Sequence, residues 1–166
     1  MDAIQALKTR KSVRKYTKGG VKKQDLDIIM ECGTLAPTGY NKQPFAFVII
    51  GDEGIKKSIT EIHPYSEGET DAQYIIAVYS NFEDAITPIE DACAATENMM
   101  IAATALGYGT CWLQAYNKEW SKKLEEILHA PKGYQIVSLF TLGTFEDDGR
   151  RSLKKPVQQI VKYNSF

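Results

Sequence analysis

The chain has 166 residues, 43% of them hydrophobic, 25% charged and 10% aromatic, which is the composition of one globular domain that can bury a core without disulfide staples. Its 20 Lys and Arg stand against 21 Asp and Glu for a net charge of −1, so no global field draws it onto nucleic acid and any anion must be caught locally. Disorder and fibrous structure are excluded. No window reaches the ~18 apolar residues of a membrane span, and MDAIQALKTRKSVRKY lacks the pattern of a secretory leader, so a cytoplasmic protein without a membrane segment is expected.

Residues 2–9 place Ala3, Ile4, Ala6 and Leu7 on one face of a short helix. A second helix is predicted over 22–35, with Leu26, Ile28, Ile29 and Met30 ahead of Cys32, until Pro37 and Gly39 break the pattern. The apolar runs 45–50 (FAFVII) and 74–79 (YIIAVY) are too short for helices and rich in β-branched or aromatic residues, so both read as buried strands. The polar stretch 61–71 between them, with Pro64 and Gly68, reads as a loop.

Thr87, Pro88 and Glu90 form a capping-box start with Pro at the first helical position, and Gly107 supplies the stop, giving a helix of about 19 residues. It is apolar nearly all round from Ala92 to Leu106, and a second subunit is the expected cover. A strand over 110–115, a helix over 118–128 and a strand over 135–142 follow, and after Gly143 the tail is basic and irregular. Such alternation ordinarily suggests a parallel doubly wound sheet. The Gly-Tyr-Gly-Thr at 107–110, however, follows a helix and precedes a strand, the reverse of dinucleotide-fold order.

Cys32, Cys93 and Cys111 are odd in number, lack CxxC spacing and are expected to be buried reduced thiols. His63 and His129 are too few and too far apart for a metal site. His63 could line a substrate entrance, although a surface position is the commoner outcome, and Tyr40 and Tyr65 are candidate ring-stacking residues.

Chemistry concentrates in two motifs. Arg10, Lys11, Ser12, Arg14 and Lys15 set guanidinium forks and a hydroxyl where the first helix ends, which suits one phosphate monoester, although such clusters are also common as solvated turns. The loop Ala36-Pro37-Thr38-Gly39-Tyr40-Asn41-Lys42-Gln43-Pro44 groups uncharged hydrogen-bonding side chains, which read a planar polar-edged ligand, or merely cap a turn-rich connection.

Taken in order, R-x-S-x-R-x-Y at 10–16, A-P-T-x-x-N-x-Q-P at 36–44, the helix running into GYGTCW and the Leu-Gly at 142–143 resemble the nitroreductase family of FMN-dependent oxidoreductases over nearly the whole chain. The resemblance implies an α+β fold, with a central mostly antiparallel sheet wrapped by helices, in an intertwined homodimer with FMN at the subunit interface. It implies that Arg10, Ser12 and Arg14, with Lys11 alongside, contact FMN, and that Pro37, Thr38, Gly39 and Asn41 approach from the other subunit. Thr38-Gly39 stands where relatives commonly have Ser-Ser. Gln114 and Ala115 stand at the flavin's reactive edge in place of Glu-Gly; the Ala115 N–H remains a candidate donor to flavin N5. Arg151 and Lys154 are the preferred phosphate contacts in the C-terminal basic stretch.

The activity implied is hydride transfer from NADH or NADPH through the flavin to a nitroaromatic, quinone or enone by a ping-pong cycle, with no catalytic amino-acid nucleophile. Alternatives are a flavin-fragmenting or reductively dehalogenating enzyme of the same fold, or a flavin-sequestering dimer without catalysis. A nucleic-acid-binding module is disfavoured by the balanced charge.

Overall fold

The computed structural model describes residues 1–64 and 71–165, so Tyr65 and most of the polar 61–71 stretch lie outside the described residues. In chain order the elements are α1 (Ala3–Thr9), α2 (Lys23–Thr34), a 3₁₀ turn (Gly39–Asn41), β1 (Phe45–Ile50), α3 (Glu53–Ile62), β2 (Tyr74–Asn81), α4 (Pro88–Ala105), β3 (Gly109–Gln114), α5 (Ser121–Ile127), β4 (Tyr134–Gly143) and α6 (Val157–Ile160). The four strands form one antiparallel sheet in the order β1-β2-β4-β3. Each named strand expected from the sequence is present, and the sheet is antiparallel rather than doubly wound.

Strand alternation divides the core in two. On β2, Ile76 and Val78 face Leu26 and Ile29 of α2 and Met99 and Met100 of α4, whereas Ile75, Ala77 and Tyr79 face Ile59 of α3 and Leu124 of α5. Helices therefore cover both faces of the sheet. No helix among the described residues is long and apolar enough to cross a membrane.

Within a single chain α4 is buried at Asp91, Ala92, Ala95, Thr96, Met99, Met100 and Ala103, against the sheet, α1 and α2, and half-buried at the other positions from Asp91 to Ala105. Two expectations need correction. Thr87 is the N-cap and Pro88 opens the helix as expected, but there is no side-chain cap bond, since the Thr87 hydroxyl donates to Asp91 instead (2.7 Å). Cys111 is buried, whereas Cys32 and Cys93 are only half-buried.

The sequence reading also missed α3. Asp52 caps it by accepting the Ile55 N–H at 2.9 Å. Lys56 is buried to 4% exposure within it, donating to the Ala72 carbonyl (2.8 Å) and pairing with Glu53 (2.7 Å).

Candidate functional site

Where α1 ends, Arg10 closes the helix by donating its N–H to the Ala6 carbonyl (2.8 Å), and the chain then runs extended along the outer edge of β3. Ser12 pairs in parallel with Thr110, and the Val13 N–H reaches the Thr110 carbonyl at 2.8 Å. Extended backbone alternates its side chains, so Val13 is buried while Ser12 and Arg14 face outward. The crossing needs Gly109, because a Cβ there would lie 2.9 Å from both Val13 methyls and from the Phe145 ring. The glycines of Gly-Tyr-Gly-Thr thus have structural tasks: Gly107, at φ +90°, ends α4, and Gly109 admits the N-terminal segment.

The start of the tail folds over the same edge and borders an open cavity of about 480 Å³ lined by Lys11, Ser12, Val13, Arg14, Lys15, Phe145, Glu146, Asp148, Arg150, Arg151 and Ser152. Five cations (Lys11, Arg14, Lys15, Arg150, Arg151) face two carboxylates (Glu146, Asp148), and the volume falls in the ~300–1,000 Å³ range of small-molecule sites. This donor set, with the Ser12 hydroxyl beside it, fits a phosphate-bearing ligand.

Some of those cations already have partners. Lys11 Nζ lies 2.7 Å from Asp147 Oδ1 and also contacts Asp148, and Arg151 grips Asp147 with two bonds of 3.0 and 2.7 Å. Arg151, Lys11 and the Gly149 N–H together hold the Asp147 carboxyl well below the usual carboxylate range. Lys11 and the Arg150 N–H likewise lower Asp148, and the two acids raise Lys11 in return. Arg14 and Lys15, on the same wall, make no ion pair among the described residues.

Other expected contacts fall elsewhere. Arg10 turns to Glu97 on α4 (3.4 Å) and is not among the residues lining the cavity. Lys154 is exposed and also outside the lining, so of the two preferred tail cations only Arg151 reaches the cavity.

Pro37, Thr38, Gly39 and Asn41 sit beside the first turn of α4. Asp91, 3% exposed, accepts the Gly39 N–H (3.2 Å) and the Thr87 hydroxyl (2.7 Å) through Oδ1, and its Oδ2 is buried with no partner among the described residues. The Thr38 hydroxyl accepts the Gln43 N–H at 3.0 Å, and Tyr40, Asn41 and Gln43 all hold left-handed backbone (φ 51°, 56° and 49°). Asn and Gln carry no branch at Cβ and adopt this region at modest cost; Tyr40, 88% exposed, adopts it with its ring in solvent. Asp91 and Glu97 are six residues apart, which on a helix is about 9 Å of rise and about 240° of rotation. The loop and the Arg10 side chain therefore attach to different faces of α4, and the cavity at the cationic wall is lined by no residue of the loop.

At the end of β3, Gln114 is exposed and Ala115 is fully buried. His63 is not at the surface. It is 3% exposed, packs edge-on against Trp120 at 4.6 Å, and its Nε2 lies 3.2 Å from the Gln114 carbonyl. A carbonyl only accepts, so Nε2 carries the proton, and burial lowers the imidazole pKa.

The sequence reading overlooked Asp91, Phe145, Asp147 and Asp148. The signal for the last two was present: Asp147 precedes Arg151 by four residues, and Asp-Asp-Gly is a turn sequence, here closed by Gly149 at φ +71°.

Comparison with known proteins agrees with this architecture. The profile of the nitroreductase family matches residues 7–69 and 64–144. A protein of Archaeoglobus fulgidus, named as a proposed NADH dehydrogenase/NAD(P)H nitroreductase, is 30% identical over 152 residues, covering 89% of this chain and 87% of its own. A crystal structure from Bacteroides thetaiotaomicron with the same proposed name superposes with a TM-score of 0.93 at 27% identity, covering 99% of this chain and 98% of that one. An FMN-dependent nitroreductase from Clostridium difficile superposes with a TM-score of 0.89 at 25% identity, covering 98% and 99%. With the family profile matched along most of its length and the fold shared at this level, the chain belongs to the nitroreductase family.

Proposed function

We propose that this protein is an FMN-dependent oxidoreductase that takes hydride from NADH or NADPH and reduces a small oxidant of the nitroaromatic, quinone or enone class. The observation that carries this reading is the cationic cavity at the sheet edge, where Ser12, Arg14, Lys15 and Arg151 converge on a volume suited to a phosphate-bearing ligand. The FMN dependence of the Clostridium difficile relative and the NAD(P)H-linked name of the Archaeoglobus fulgidus one support it.

FMN, when bound, supplies the hydride-accepting and hydride-donating chemistry, so the protein needs no nucleophile of its own. Arg14 and Arg151 offer planar donor forks and Lys15 a point charge to the phosphate, and the Ser12 hydroxyl adds a donor beside them. Gln114 presents an exposed amide at the end of β3. The Ala115 N–H, enclosed at 0% exposure, reaches a ligand only after neighbouring groups move aside.

The second half of the site comes, in this reading, from another copy of the chain. The loop carrying Pro37, Thr38, Gly39 and Asn41 is presented outward beside exposed Leu35 (72%) and Ile86 (54%). The tail leaves Leu153 (101%), Val157 (67%), Ile160 (64%) and Tyr163 (84%) largely exposed on the single chain. A homodimer gives these apolar groups a partner and brings the loop to the cationic wall.

Steady-state kinetics with NADH or NADPH against a quinone test the cycle. One pocket serving both reactants in turn predicts parallel double-reciprocal lines, and intersecting lines contradict it.

A further inference from the structure

The cations of the cavity fall into two groups: Arg14 and Lys15 without ion-pair partners among the described residues, and Lys11, Arg150 and Arg151 bound to the chain's own acids. We propose that Asp147 and Asp148 act as a built-in anion that occupies the phosphate-binding cations and is displaced by the FMN phosphate, so that these two carboxylates set how strongly the protein prefers FMN over riboflavin. The proposal rests on the FMN reading of the cavity.

The geometry carries it. Arg151 holds Asp147 with two bonds, Nη1 to Oδ1 (3.0 Å) and Nη2 to Oδ2 (2.7 Å), the fork arrangement that guanidinium offers to a phosphate. The Lys11 side chain is 15% exposed, and the anions its ammonium meets are Asp147 and Asp148. Two carboxylates carry about the charge of one phosphate monoester, roughly −1.5 to −2 at neutral pH, so the exchange leaves the cavity's charge nearly unchanged.

The acids are also free to leave. Asp147 accepts the Gly149 N–H and Asp148 the Arg150 N–H, both at 3.0 Å, so the turn keeps its own shape without the cations. Residues 146–165 are exposed throughout, and moving the turn uncovers no core. Asp147 and Asp148 are about half exposed (46% and 53%), so water receives them when they are displaced.

The experiment measures FMN and riboflavin dissociation constants by flavin fluorescence for the wild-type protein, for Asp147→Asn with Asp148→Asn, and for Glu126→Gln. Glu126 is exposed on α5, lies outside the cavity lining and makes no ion pair among the described residues, so it reports the general effect of removing a negative charge. The double variant is expected to bind FMN about three- to tenfold more tightly, with riboflavin and the Glu126 variant each moving less than about twofold. An unchanged or lowered preference for FMN in the double variant, or an equal gain in Glu126→Gln, overturns the proposal and leaves the cofactor reading standing. A wild-type protein that binds neither flavin overturns the cofactor reading and this proposal with it.

Discussion

Asp91 Oδ1 accepts the backbone N–H of Gly39 at 3.2 Å, which fastens the polar 36–44 loop to the first turn of α4. The Thr87 hydroxyl shares the same oxygen, so a single buried carboxylate ties the loop to the N-terminus of α4. Asp91→Ala strands the Gly39 donor and should lower stability by about 1–3 kcal/mol in urea unfolding, with faster amide exchange at Gly39. Asp91→Asn, which keeps an acceptor at that place, should lose less. Equal stability of wild type and Asp91→Ala would contradict the anchoring role.

Gly109 is predicted to tolerate no side chain. Its Cβ would meet Val13 and Phe145 at 2.9 Å, and these flank the cationic cavity on both sides. Gly109→Ala should cost about 1–3 kcal/mol by overpacking and weaken FMN binding, because the Val13 and Phe145 side chains that line the cavity must shift to relieve the clash. Full flavin affinity in that variant would show that the crossing is not needed to shape the cavity.

His63 makes stability sensitive to mild acid. Burial lowers its folded pKa, so between that value and the unfolded value near 6.5 the unfolded chain binds more protons and stability falls as pH decreases. Melting temperature should therefore drop on going from about pH 7 to below about pH 6. His63→Gln, which cannot titrate, should show a shallower drop; identical slopes would remove His63 as the cause. The Asp147 carboxyl shifts in the same direction but in a more acidic window: its ion pairs are complete above the unfolded value near 3.9 and are lost only as pH falls through the depressed folded value.

The tail offers a direct test of assembly. Deleting residues 150–166 removes Leu153, Val157, Ile160 and Tyr163, which are exposed on a single chain. Analytical ultracentrifugation should show a dimer for the full chain and a shift towards monomer for the truncated one. A full chain that sediments as a monomer at micromolar concentration would contradict the two-copy site.

Local signals were legible in the sequence and long-range pairing was not. Phe45–Ile50 emerges at its predicted limits because an uninterrupted apolar run bounded by Pro44 and Gly51 leaves few alternatives. The long helix was framed by Pro88 and Gly107. By contrast, the sequence reading assigns no element at α3 although Ile55, Ile59 and Ile62 recur at i, i+4 and i+7 on one helical face and Asp52 stands at its cap, so its signal was present and missed. The strand order β1-β2-β4-β3 depends on contacts between distant segments that no local window contains.

In the site, the N-terminal cations were legible because their signal is contiguous. That Arg10 would pair with Glu97, or that Asp147 and Asp148 would hold Lys11, depended on bringing together residues 87 and more than 130 positions apart. His63 read as a surface residue because its burial is created by Trp120 and the end of β3, both far along the chain.

The most direct measurement is the absorption spectrum of the protein after incubation with FMN and desalting, for wild type beside Arg14→Ala. The wild-type protein should keep the flavin bands, and removing one charge-assisted phosphate contact should weaken binding by about 1.5–3 kcal/mol, roughly ten- to a hundredfold, and leave the variant largely colourless. A colourless wild type, or an Arg14→Ala protein that retains FMN equally well, would contradict the assignment of the cationic cavity as the flavin phosphate site.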